Sequence, residues 1–174
     1  FKTDLTKKIL GLNPHIVIQP NSFVIDDSYI SQLKKKFQDI IISKSFSGEG
    51  IVISNNNAKG VILKGLTKTE PKTIEFLNKN ITSGNVKNFS KNQVFIGTEL
   101  AYNLNLKEGN NISLMSSAFV ATPLGSLPKQ ENYKIAGVFN TGFAEFDENI
   151  VFLGIEDALS IFDKDEKDIN IEIY

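Results

Sequence analysis

The chain has 174 residues, 41% of them hydrophobic, with a net charge of −1 and no cysteine. The near-neutral balance argues against nucleic acid as a partner, because phosphate binding needs a clustered positive field. The lack of cysteine removes disulfides, thiolate metal sites and a cysteine nucleophile.

Helical spacing over 5–12 predicts a first helix, stopped by Gly11 and Pro14. Residues 15–18 read as a strand ended by Pro20-Asn21. Asp26, Asp27 and Ser28 offer N-caps for a helix to about residue 38, with Ile30, Leu33 and Phe37 on its apolar face. Lys34-Lys35-Lys36 then falls on that helix's solvated side. Strands are expected over 40–47 and 51–54, with Gly48-Glu49-Gly50 as a turn or bulge between them. Asn55-Asn56-Asn57 gives a tight turn, since asparagine tolerates positive φ, and 59–66 returns as the hairpin partner. Residues 69–78 form a helix with Pro71 in its first turn, where the missing N–H costs nothing. A strand at 93–96, a helix at 98–104, and strands at 110–115 and 133–139 follow. A strand at 149–153, a helix at 155–162 and a strand at 169–174 close the chain.

Strand–helix–strand units flank a strand-built middle, which is an α+β pattern. The expected organisation is one unit made from 1–86 and 143–174, with a strand-rich subdomain inserted at 87–142. No stretch reaches the roughly 18 to 20 apolar residues that cross a bilayer, and no signal peptide is evident. The start at Phe1 and the strand-like end at Tyr174 read as a segment of a longer protein.

Residues that carry chemistry are sparse. His15 is the only histidine and heads an apolar strand, so it makes no multi-histidine metal site. Asp26-Asp27 is a candidate acid pair, but aspartate before a helix is an ordinary cap. Glu145, Asp147 and Glu148 form an acidic cluster read as a solvated turn, without the ligand spacing of a calcium loop. Gly48-Glu49-Gly50 has neither P-loop nor dinucleotide spacing. No cofactor, metal or catalytic residue is expected.

The segment 116–128 stands out. It reads Ser-Ser-Ala-Phe-Val-Ala-Thr-Pro-Leu-Gly-Ser-Leu-Pro and joins two strands, so it is expected to be a long hairpin connection where two to five residues are usual. It carries Phe119, Val120, Leu124 and Leu127, where loop tips are normally polar. Pro123 and Pro128 limit the entropy cost of ordering, and Gly125 allows a bend. From pattern alone two readings stand: a flap folded over the core, or an apolar hook that enters a partner's groove.

The Thr122-Pro123-Leu124-Gly125-x-x-Pro128 pattern and the strand 133–139 resemble the periplasmic domain of the lipoprotein-releasing ABC permeases, the LolC/LolE family. The opening segment through His15-Ile16-Val17-Ile18 is similar to the start of that domain, and Val61-Ile62-Leu63-Lys64-Gly65-Leu66 to one of its strands. The stretches 96–110, 142–147 and 151–158 follow in the family's order. The resemblance implies a MacB-like fold, with a porter-like α/β subdomain and an inserted strand-rich subdomain bearing a hook at about 116–130. It implies an inner-membrane complex facing the periplasm, with a separate ATPase subunit, LolD, a second permease and a lipoprotein substrate. It also implies a LolC-type or fused LolF-type hook that binds the chaperone LolA. The hook residues by resemblance are Phe119, Val120, Thr122, Pro123, Leu124, Gly125, Leu127 and Pro128. The family's adjoining surface includes basic residues and a glutamine; the matching positions here are Ser113, Gln130 and Glu131. Gln130 fits, Ser113 and Glu131 depart from basic charge, and Lys129 stands in for part of it.

Overall fold

Asn55 and Asn56 both adopt positive φ and make the two-residue turn between β2 (Ile42–Ser54) and β3 (Asn57–Leu66). The structure, a computed structural model, describes residues 14–21 and 23–174, so the helix expected over 5–12 lies outside the described residues. The remaining strands are β1 (Ile16–Ile18), β4 (Ile81–Gly84), β5 (Gln93–Gly97), β6 (Asn111–Thr122), β7 (Gly125–Phe139), β8 (Ile150–Gly154) and β9 (Asn170–Ile173). The helices are α1 (Asp27–Lys36), α2 (Pro71–Asn80), α3 (Thr98–Asn103), α4 (Ala144–Asn149) and α5 (Ile155–Ile161). The α+β expectation holds.

The pairings close a ring. β2 pairs β3, β3 pairs β8, β8 pairs β5, β5 pairs β7, β7 pairs β6, and β6 returns to β2. Six strands therefore form a closed barrel, which leaves no open edge within the ring. β9 and then β1 extend the sheet from the first residues of β2, and β4 extends it from the end of β7. Strands from 87–142 are thus hydrogen-bonded into one sheet with strands from both flanks.

Strand alternation splits the core between the two faces of this sheet. Val52, Leu63, Val94, Ile96, Leu114, Tyr133, Ile135, Val151 and Leu153 fill the barrel. Phe95, Phe139 and Phe152 point outward and are covered by Phe76 and Leu77 of α2. The sequences of β5–α3 and β8–α5 repeat one pattern, Val-Phe-x-Gly-x-Glu-x-Ala, at 94–101 and 151–158. The repeats lie antiparallel with Phe95 opposite Phe152. Since β5 and β8 run in opposite directions, α3 and α5 reach opposite mouths of the barrel. There Leu100 and Leu104 on one side, and Ala158, Ile161 and Phe162 on the other, complete the core.

Three expectations are corrected. Gly48 and Gly50 do not make a turn. β2 runs unbroken through them, and a Cβ at Gly48 would sit 2.5 Å from the Phe162 ring. Second, 116–128 is not a long loop. β6 and β7 continue through it to a two-residue turn at Pro123-Leu124, with Thr122 opposite Gly125. The apolar residues that made it look like an anomalous loop are strand residues. Third, the acidic cluster is helix α4, and Asp147 within it is buried. Its carboxylate accepts from the backbone N–H and the hydroxyl of Thr141.

Candidate functional site

Among the described residues, beyond Ser116 on β6 and Lys129 on β7 the two strands pair only with each other. They leave the barrel as a two-stranded arm. Its register places Phe119 opposite Pro128 and Val120 opposite Leu127. Opposed residues share a face, so Phe119 and Pro128 lie on one side of the ribbon and Val120 and Leu127 on the other. Both faces are apolar and exposed, with Phe119 at 65% and Leu127 at 57%. Leu124 forms the tip and is 98% exposed. Pro128 is tolerated because, among the described residues, no third strand pairs with the arm and needs its missing N–H.

The tip is locally fixed. Thr122 Oγ1 donates to the Gly125 carbonyl at 2.6 Å and accepts from the Leu124 N–H at 3.3 Å. Gly125 has φ +119, a region that a side chain rarely adopts. All eight residues expected to form the hook are therefore gathered on this arm.

The three residues expected beside it divide between two faces. Ser113 and Gln130 point outward; Ser113 Oγ donates to Asn132 Oδ1 at 2.6 Å, and Gln130 lies opposite Met115. Glu131 points to the inner face, where it accepts from the Tyr133 hydroxyl at 3.0 Å and pairs with Lys129 Nζ at 3.6 Å. Burial and the neighbouring Glu131 carboxylate push the Tyr133 phenol far up, so it stays a donor. The outward face also carries a concavity of about 550 Å³ at the root of the arm, lined by Ile51, Ile62, Met115, Ser117 and Asn149. A side chain at its Gly60 would meet open space. Sequence reading missed this groove; its signal was the outward row Ile51, Ile53 and Ile62 on a hairpin with an outward glycine.

The carboxylates considered for chemistry serve the fold. Asp26 caps α1 through the Tyr29 N–H, and Asp27 pairs with Lys44. Glu145 is exposed on α4. Among the described residues, no three histidine or carboxylate side chains converge on a metal position. His15 is exposed, and its backbone N–H donates to the Ile173 carbonyl.

One buried carboxyl is imperfectly placed. Glu70 accepts the Lys44 N–H through Oε1, while neither its Oε2 nor the Ser43 hydroxyl nearby reaches hydrogen-bonding geometry with a described group. Burial raises its pKa above the ordinary 4.5, and the Lys44 N–H offsets only part of this. The folded chain therefore holds this proton more tightly than the unfolded chain, so the charged form opposes folding. Glu70→Gln keeps an acceptor for Lys44 and is expected to stabilise the chain slightly at neutral pH. The gain should fade as pH falls through the raised folded value, and vanish below the ordinary one. Urea unfolding of both proteins across a pH series checks this.

The barrel with its helices has the fold of an extracellular domain of an ABC-type transporter. The extracellular domain of the noncanonic ABC-type transporter YknZ from Gram-positive bacteria superposes with a TM-score of 0.55 at 14% identity, covering 91% of this chain and 83% of that one. In sequence the chain is similar over nearly its whole length to the lipoprotein-releasing system transmembrane protein LolC. The Xylella fastidiosa (strain Temecula1) protein is 17% identical over 168 residues, 95% of this chain and 41% of its own length. The Neisseria meningitidis serogroup B protein is 19% identical over 171 residues, 96% of this chain and 41% of its own length. The chain thus spans about two fifths of the curated relatives it matches. No family model matches it. Among the described residues no helix is long and apolar enough to cross a membrane.

Proposed function

We propose that the chain is the periplasmic domain of a lipoprotein-releasing ABC permease, and that its arm recruits the chaperone LolA for lipoprotein transfer to the outer membrane. The observation that carries this reading is the arm itself: apolar on both faces, with Leu124 98% exposed at the tip. Apolar side chains exposed on both faces of a ribbon suit a partner's groove, and an isolated two-stranded hairpin is marginal in water. The likeness to LolC across 95% of the chain supports the choice of partner. In this reading 87–142 is the inserted subdomain that bears the hook. The full-length protein sits in the inner membrane with a second permease and a separate ATPase subunit, LolD, and the lipoprotein is the substrate. The role is LolC-type or that of the fused LolF-type permease.

Binding of the purified chain to LolA from its own organism tests this. Pro123→Ala with Leu124→Ala is expected to weaken it by at least about tenfold, since a central apolar anchor dominates such contacts. Unchanged affinity overturns the reading. The fold likeness to YknZ favours a second one, a MacB- or FtsX-type permease whose hook serves a different periplasmic partner. Under that reading the parent chain fails to bind LolA at all.

A further inference from the structure

The arm leaves the barrel at an irregularity. Between Met115 and Phe119 β6 advances four residues while β7 advances only two, from Gln130 to Pro128. The two extra residues turn the ribbon and aim two side chains at the end of α5. Ser116, which is buried, donates its hydroxyl to the Ile161 carbonyl and accepts the Ala118 N–H at 3.1 Å. From the other strand, Lys129 Nζ donates to the Ser160 carbonyl. The last carbonyls of a helix have no partner within it and carry its negative dipole end, so a hydroxyl and an ammonium are suited to them. Glu131 braces Lys129 from behind.

α5 is itself held without slack. A Cβ at Gly65 of β3 would lie 2.5 Å from Ala158 Cβ, and the Phe162 ring occupies the space left by Gly48 of β2. The barrel thus fixes α5, and α5 fixes both strands of the arm at their root.

We infer that Ser116 and Lys129 are positioning residues that set the angle of the arm by clamping it to the carboxyl end of α5. Among the described residues the ribbon past this clamp pairs only with itself, so these contacts are the ones that orient it. The functional value of a fixed angle rests on the reading of the arm as a partner hook; the clamp itself does not.

The lack of cysteine allows clean spin labelling at two introduced thiols. Labels at Leu124→Cys on the tip and Tyr102→Cys, an exposed position on α3, report the arm's angle as a distance distribution. The parent is expected to give one narrow distribution. Ser116→Ala with Lys129→Met should broaden it about twofold or more, as a hairpin without support samples many directions. Ser116→Thr with Lys129→Arg, which keeps both donors, should restore the narrow form. Folding is checked by near-ultraviolet circular dichroism; if the double variant loses its folded signal, Ser116→Ala and Lys129→Met are read singly, each broadening the distribution in part. An unchanged width and mean in the folded variants overturns the clamp. No partner is present in the experiment, so failure to bind LolA and failure of the clamp are separate results.

Discussion

Phe152→Ala is expected to lower the free energy of unfolding by about 4 kcal/mol, read as a shift of the urea midpoint at constant slope. Phe152 is fully buried and lies at the centre of the layer outside the barrel. Its ring centroid is 5.1 Å from Phe139, 5.4 Å from Phe76 and 6.2 Å from Phe146. Removing it opens a cavity between β8 and α2 that rigid strands on both sides cannot close. Phe152→Leu retains much of the volume and should cost less than half as much. An alanine variant within about 1 kcal/mol of the parent would mean that this layer relaxes, contrary to the close packing of interiors.

The second large effect is electrostatic. Lys64 Nζ and Glu172 Oε1 lie 2.8 Å apart with side chains only 13% and 7% exposed, and the Tyr174 hydroxyl donates to the other Glu172 oxygen at 2.8 Å. Lys64→Met is expected to destabilise the chain by about 3 kcal/mol, because it leaves a buried carboxylate without its cation. The nearby Glu70 carboxylate, whose charge already acts against Glu172, adds to that cost. Adding Glu172→Gln should recover more than half of the loss, since the amide removes the charge and keeps an acceptor for Tyr174. No recovery in the double variant would show that the lysine stem, rather than its charge, carries the effect.

Much of the fold was legible where local chemistry dictates it. Asn55-Asn56 announced the hairpin, Pro71 the first turn of α2, and Asp26 the cap of α1, because each acts within a few residues of itself. Ring closure was not legible, since the β2–β6 and β3–β8 pairings join distant segments and leave no local mark. Gly48 and Gly50 misled because a glycine that makes room for Phe162 or Leu63 looks in sequence like one that turns the chain. The Val-Phe-x-Gly-x-Glu-x-Ala repeat was present in the sequence all along, yet its use emerged only with Phe95 lying opposite Phe152.

The candidate site shows the same division. The apolar character of 119–128 could be read directly. That these residues form two opposed faces could not, because the two-residue offset on β6 hides the register. Glu131 looked like a charge reversal on the partner-facing surface, whereas the fold turns it inward against Lys129 and Tyr133. Its acidity thus says more about the root of the arm than about what the arm meets.

The outermost pairing has a mechanical consequence. β1 runs antiparallel to β9, with Ile16 opposite Ile173 and Ile18 opposite Ile171, and the His15 N–H bonds to the Ile173 carbonyl. Tension between residues 14 and 174 therefore falls on one end of this pair and opens its bonds one after another, as a zipper opens. The same pull peels β9 from β2 starting at the Ile41–Tyr174 contacts. The barrel lies outside that load path until both strands have come away. A tug on the two ends would thus give way first at the sheet's margin, while the clamp that aims the arm stays unstrained.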